Sequence, residues 1–129
     1  MNGIADRLRL PPDPTSVAAA RRYVAEAVGS AGTLAEIAIL LASELASNAV
    51  LHARTAFELT VNIDADLVRV EVYDESPLMP TLKSYVAESI DGRGLHMIAA
   101  SAERWGFDSV PSGKVVWFEL RPSSMQDDA

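Results

Sequence analysis

The sequence predicts a two-layer α/β sandwich of the α+β class, with helices on one face of a mixed, mostly antiparallel sheet. Two pairs of segments alternate apolar and polar residues around a short turn, which is typical of antiparallel hairpins. Two segments with helical periodicity precede the first pair. The predicted order is a strand, two helices, a hairpin, a loosely patterned segment, a third helix and a second hairpin.

Size and composition predict one globular domain over residues 1–121, followed by a polar tail over 122–129. The chain has 129 residues, of which 49% are hydrophobic and 22% charged. Its net charge is −7, and its longest basic run is Arg21-Arg22, so it lacks the electrostatic footprint of a nucleic-acid-binding protein. The absence of cysteine excludes disulfides and thiolate metal sites.

Neither a secretory signal nor a membrane span is expected. The first seven residues contain no apolar stretch of the kind that a signal peptide needs. The apolar run 37–42 lies between Glu36 and Glu44 and is too short to cross a bilayer. We therefore expect a cytoplasmic protein without a membrane partner.

The first strand and the first helix are marked by their boundaries. Leu8 and Leu10 alternate with arginines, and Pro11-Pro12 ends this short strand. Short polar residues and a proline over 13–16 are typical of a helix start, and Gly29 is a typical helix stop.

A capping box at residues 33–36 opens the second helix, which is predicted to reach about His52. Glu44, Asn48 and His52 follow one another at intervals of four, so they lie on one face, with Ser47 beside them. No lysine or arginine lies between residues 36 and 53, although an exposed helix face normally carries such side chains.

The strands of the two hairpins are predicted over 57–63, 67–74, 105–110 and 115–120. Between the hairpins, residues 76–91 contain two prolines and little periodicity, which is typical of a functional or mobile segment. The third helix is predicted from Gly94 to about Glu103.

The polar stripe on the second helix has two interpretations. Asn48 offers a neutral oxygen to Mg²⁺, a cation that keeps several waters and uses few protein ligands. Glu44, one turn earlier, can position or deprotonate a nucleophile. The alternative is an amphipathic helix with an inert outer face, and the helix by itself does not separate the two.

Two further segments could bind a ligand. Gly92-Arg93-Gly94 precedes the predicted third helix, where backbone N–H groups can bind a phosphate, although a simple loop-to-helix turn has the same sequence. Asp74 ends a strand and could accept a hydrogen bond from an amino group, although aspartate also commonly initiates turns.

Taken in order, these segments resemble the GHKL ATPase superfamily in its small single-domain form. That form comprises the anti-sigma factor serine kinases and related actinobacterial ATP-binding regulators. Residues 44–53 look like the N-box, and Asp74 with Ser76 looks like the first glycine box. The motif Gly92-Arg93-Gly94-Leu95 looks like the second glycine box, and the ATP lid would span about 76–93.

The resemblance implies a Bergerat-type ATP-binding fold with ATP and Mg²⁺ as cofactors. Asn48 would ligate Mg²⁺, Glu44 would act as the general base, and Asp74 would bind the amino group of adenine. The other residues implied to contact the nucleotide are His52, Ser76, Gly92, Arg93, Gly94 and Leu95. The same resemblance implies that the protein phosphorylates a STAS-type anti-sigma factor antagonist, that it sequesters a sigma factor, and that it forms a homodimer.

Three positions depart from the family pattern. Ser76 and Leu78 replace the two glycines of the first box, and Val115 takes the place of a threonine that is often found near the adenine. These departures favour an alternative function. In it the chain is a non-catalytic nucleotide-binding regulator, or a nucleotide-independent protein-interaction regulator with a degenerate ATP site.

Overall fold

The computed structural model describes residues 3–4, 7–29, 33–64, 67–76 and 103–121. Its helical elements are α1 (Thr15–Val28), α2 (Thr33–Asn48) and a π-helical turn, Ala49–Ala53. Its strands are β1 (Gly3–Ile4), β2 (Leu8–Leu10), β3 (Phe57–Asp64), β4 (Leu67–Asp74), β5 (Arg104–Val110) and β6 (Gly113–Leu120). The predicted elements in these ranges are confirmed; the lid and the third helix lie outside the described residues.

Within the described residues the strands form one sheet in the order β1-β3-β4-β6-β5, and β2 pairs with the same strand, β3, as β1. Every described pairing is antiparallel. The strand β1 was not expected from the sequence, because two residues carry no readable alternation. The sheet places β4 and β6 side by side, although about 40 residues separate them along the chain.

The alternation along each strand decides which side chains face the helices. In β4, for example, Val68, Val70 and Val72 are buried, while Arg69 and Glu71 between them are partly exposed. The buried positions of β3, β4 and β6 join those of both helices in a single core cluster. The largest side chains in this core are Phe57, Phe118, Leu41, Leu45, Leu59 and Leu120. The predicted two-layer α+β fold is therefore confirmed.

The central helical segment is strongly apolar because it is packed on one side by α1 and on the other by the sheet. Within Leu34–Ala53 an 18-residue stretch has a mean hydropathy of 1.6, so this segment is long and apolar enough to cross a membrane by length and composition alone. A buried core helix passes the same test, and Ala38, Leu41 and Leu45 of this segment are almost fully buried. Packing within the domain accounts for these buried positions, whereas Leu40 and Leu51 of the same segment are exposed.

The boundaries of α1 match the residues that predicted them. The Oδ1 atom of Asp13 accepts hydrogen bonds from the backbone N–H of Thr15 at 2.9 Å and from its hydroxyl at 2.8 Å. The bond from the backbone N–H is the larger cause and the bond from the hydroxyl the smaller one, and together they hold the pKa of Asp13 below its usual value. At the other end, Gly29 has a φ of 82°, a left-handed value that glycine adopts without strain.

The outer face of the sheet carries an ion-paired cluster of its own. Glu119 is 4% exposed and accepts from Arg69 at 2.7 Å and from Arg104 at 2.9 Å. Burial disfavours its charged form, yet the hydrogen bonds from the two arginines hold the pKa of Glu119 below its usual value. The guanidinium carbon of Arg69 lies 4.2 Å from the centre of the Trp117 ring. The charges of Glu119, Arg69 and Arg104 are paired with one another, so we assign this cluster a structural role.

Candidate functional site

A buried pair of opposite charges lies where β4 ends and β6 begins. Asp74 and Lys114 are Cα partners across the two strands. The two residues are 3% and 6% exposed, and Nζ of Lys114 donates to Oδ1 of Asp74 at 2.8 Å. Asp74 is on the same face of β4 as Val70 and Val72. The carboxylate therefore lies on the helix side of the sheet.

The same oxygen of Asp74 also organises the chain that follows the strand. The backbone N–H of Ser76 donates to Oδ1 of Asp74 at 2.9 Å, which is the bond of an Asx turn. The intervening residue, Glu75, accepts a hydrogen bond from Arg9 of β2 at 2.9 Å. The direction in which the chain leaves β4 is thus fixed by the side chain of Asp74 and by an arginine of β2, a strand that pairs with β3.

The end of the central helical segment is tied to the end of β4. The chain leaves the π-helical turn and soon begins β3 at Phe57, which is the Cα partner of Asp74. In the short connection between the π-helical turn and β3, the hydroxyl oxygen of Thr55 accepts a hydrogen bond from the backbone N–H of Glu75 at 3.0 Å. This link joins the helical segment that carries Asn48 to the strand that ends in Asp74.

Asn48 is the last residue of α2 and is 6% exposed. Its amide nitrogen Nδ2 is buried and has no hydrogen-bond partner among the described residues. A buried amide without a partner costs about 1–3 kcal/mol, so such groups usually have a specific reason to persist. A ligand atom that accepts a hydrogen bond would supply that reason.

A π-helical turn follows Asn48 directly. The backbone N–H of Arg54 bonds to the carbonyl of Ala49 at 2.9 Å, a span of five residues, and Arg54 has a left-handed φ of 59°. The wider turn interrupts the predicted stripe: Asn48 is buried and Glu44 partly buried, but His52 is exposed. The interval of four residues therefore holds for the first two members of the stripe. Turns of this type are frequent at functional sites.

The structure brings together Asp74, Ser76 and Lys114, and it ties them to the end of the segment that carries Asn48. The predicted nucleotide-binding residues Gly92, Arg93, Gly94 and Leu95 lie outside the described residues. The roles assigned to Glu44, Asn48 and His52 stay predictions.

Lys114 is the site residue that the sequence analysis missed. Counting back in twos from Leu120 places it on the core-facing side of β6 with Phe118 and Val116, where a lysine is unexpected. Val115 has the opposite orientation and pairs with Tyr73 on the outer face. Val115 is therefore on the opposite face of the sheet from the Asp74 carboxylate, which does not agree with the place predicted for it near a base bound at Asp74, and Lys114 is the residue of β6 that contacts Asp74.

The chemistry of the site is that of a polar ligand. Among the described residues no group of three or more His, Cys, Asp or Glu side chains could hold a metal ion. Mg²⁺ bound together with a phosphate-containing ligand uses few protein ligands and does not need such a group. Asp74 can accept a hydrogen bond, and Asn48 has an unused donor. This donor and acceptor set fits a nucleotide.

A comparison with known protein families agrees with the resemblance to GHKL ATPases that the sequence motifs indicated. The family model of the histidine kinase-like ATPase domain matches residues 10–120 of the chain. This range begins in β2 and ends with β6, and it includes both helices and the buried pair. No curated protein matches the chain.

Proposed function

The chain belongs to the histidine kinase-like ATPase domain family, and this membership supports an ATP-binding regulatory function. We propose that the protein is a Mg-ATP-dependent anti-sigma factor. In this proposal it transfers the γ-phosphate of ATP to a serine of a STAS-type antagonist. It also sequesters a sigma factor, which is released when the unphosphorylated antagonist competes for the same protein.

The observation that carries this proposal is the buried, unsatisfied amide of Asn48 at the end of α2. This N–H donor fits an acceptor atom of a phosphate-rich ligand, while the amide oxygen of the same side chain is the atom that would ligate the cation. Asn48 would ligate Mg²⁺ and Asp74 would hold the adenine. When bound, Mg²⁺ supplies positive charge that offsets the charge of the phosphate oxygens.

Glu44 lies one helical turn before Asn48 and is the proposed general base. Its carboxylate accepts the proton of the substrate serine. The serine oxygen forms a bond to the γ-phosphorus, while the bond between that phosphorus and the bridging oxygen breaks and ADP leaves. The partly buried position of Glu44 suits a group that must meet a protein substrate and the nucleotide together.

A second candidate is the non-catalytic regulator with a degenerate site. Two observations favour it. Oδ1 of Asp74 is already bonded to Lys114 and Ser76, and Ser76 and Leu78 stand in place of the glycines of the first box. This candidate predicts that partner binding survives the substitution Glu44→Ala, whether or not the nucleotide is bound.

Asn48→Leu is expected to abolish Mg-ATP binding without loss of stability. Leucine has the same branched skeleton of four side-chain heavy atoms as asparagine, and it removes an unsatisfied donor that costs about 1–3 kcal/mol in the ligand-free protein. The free energy of unfolding should therefore stay the same or rise. Titration calorimetry with Mg-ATP and urea denaturation measure the two quantities. Unchanged ATP affinity in a folded variant would remove Asn48 from the site.

Glu44→Gln is expected to lower phosphate transfer by about 100-fold while leaving Mg-ATP affinity within about twofold, because it removes a base but keeps the shape of the side chain. The measurement is transfer of labelled γ-phosphate to purified STAS-domain antagonists from the same organism. Ser43→Ala on the preceding position is the matched control and should transfer normally. Equal transfer by Glu44→Gln and wild type would show that Glu44 is not the base.

A further inference from the structure

Lys114 is a charged side chain on the face of β6 whose other side chains are buried and apolar. Its side chain is 7% exposed, and it shares one face of β6 with Val116, Phe118 and Leu120. Burying an ammonium is unfavourable unless it is paired and hydrogen-bonded, and an apolar residue here would serve packing as well or better. The position of Lys114 therefore indicates a role beyond stability.

The hydrogen bonds of the pair are incomplete in a specific way. A lysine ammonium has three N–H donors, and within the described part of the chain Oδ1 of Asp74 is the one acceptor that it contacts. Oδ1 also accepts from Ser76, whereas no described residue donates to Oδ2 of Asp74. An unused acceptor and unused donors are thus held next to each other on two adjacent strands.

We propose that Lys114 is a second base-recognition residue. It donates a hydrogen bond to the ring nitrogen N1 of adenine, while Oδ2 of Asp74 accepts one from the 6-amino group. The inference rests on the proposed binding of ATP at Asp74. Adenine presents a donor and an acceptor side by side on this edge, which is the complement of the Asp74–Lys114 pair.

The same arrangement rejects guanine. Guanine in the same orientation would place its O6 acceptor against the carboxylate of Asp74 and its N1–H donor against the ammonium of Lys114. Both contacts are repulsive, and a mismatch that leaves buried polar groups unpaired is strongly discriminated against. Lys114 would therefore contribute to specificity for 6-aminopurine nucleotides as well as to affinity.

The test compares ATP with 1-deaza-ATP, in which a C–H group replaces N1 and the 6-amino group is kept. Titration calorimetry with Mg²⁺ on the wild type should show about tenfold weaker binding of 1-deaza-ATP, because a hydrogen bond from a charged donor is lost. The variant Lys114→Met should bind ATP and 1-deaza-ATP with equal affinity. GTP should bind the wild type at least about tenfold more weakly than ATP.

Each alternative result has a defined meaning. Equal binding of ATP and 1-deaza-ATP by the wild type would overturn the role of Lys114 but leave ATP binding intact. Tighter binding of ATP to Lys114→Met would also overturn it, since Lys114 would then compete with the base. If the folded wild type binds neither nucleotide, the inference and the proposed function both fail. ATP binding without phosphate transfer would count against the proposed kinase alone. Should Lys114→Met not fold, as judged by circular dichroism, the wild-type comparison decides.

Discussion

Asp74→Ala is expected to lower the free energy of unfolding by about 3–5 kcal/mol, because it leaves the buried ammonium of Lys114 without its counter-ion. Oδ1 of Asp74 is the sole acceptor that Lys114 contacts in the described part of the chain. The Asx turn to Ser76 would be lost in the same variant. Urea denaturation followed by circular dichroism measures the change as a lower midpoint at constant slope.

The matched control removes both charges at once. The double variant Asp74→Leu/Lys114→Met keeps a similar volume and leaves no charge unpaired, so it should recover most of the lost stability. It should still fail to bind Mg-ATP, because neither base-recognition group remains. This comparison separates the part of the pair that serves folding from the part that serves the ligand. A loss below about 1 kcal/mol in Asp74→Ala would show that the ammonium finds water or another partner, and would contradict the expectation.

Gly113→Ala is the second substitution with a large expected effect. A Cβ atom at Gly113 would overlap the carbonyl oxygen of Asp74 and would lie 2.9 Å from the carbonyl carbon of Asp74 and from Cα of Glu75. These neighbours are backbone atoms, so the start of β6 must move away from β4. We expect a loss of at least about 3 kcal/mol, near the upper end for overpacked sites.

The control for Gly113→Ala is Gly29→Ala. Gly29 has a left-handed φ of 82°, and a Cβ atom there would meet nothing within 4 Å. This variant therefore reports the conformational cost of placing alanine in a backbone conformation (φ 82°, ψ 158°) that is nearly restricted to glycine, which is about 1–3 kcal/mol without any steric overlap. Both variants can be compared by thermal and urea denaturation, and the Asp74–Lys114 site by Mg-ATP titration. Equal losses in the two variants would mean that the contact between β6 and Asp74 is not tight.

Much of the fold could be predicted because local signals agree with it. Alternation identified β3, β4, β5 and β6, and the capping box identified the start of α2. The π-helical turn could not be predicted, since Ala49–Ala53 has the composition of an ordinary helix. That turn depends on how the chain must leave α2 to begin β3 beside Asp74, which is a tertiary constraint.

Candidate site residues could be proposed from the sequence where a local pattern marks them, whereas a contact between distant strands could not. Glu44 and Asn48 stand out because polar residues interrupt an apolar helix. The contact between Asp74 and Lys114 depends on β4 and β6 being neighbours in register, and no local pattern specifies that pairing. Once the pairing is known, the alternation of β6 alone assigns Lys114 rather than Val115 to the site.

The π-helical turn also affects which changes of chain length this protein can accept. In an α-helix, one inserted or deleted residue rotates everything beyond it by about 100°. A π-helical turn accommodates one additional residue locally. A deletion of one residue within 49–53 would convert the turn to α-helix and leave Glu44 and Asn48 in place. The same deletion before Glu44 would rotate both side chains out of their present positions. Length variation in homologous chains should therefore be concentrated after Asn48.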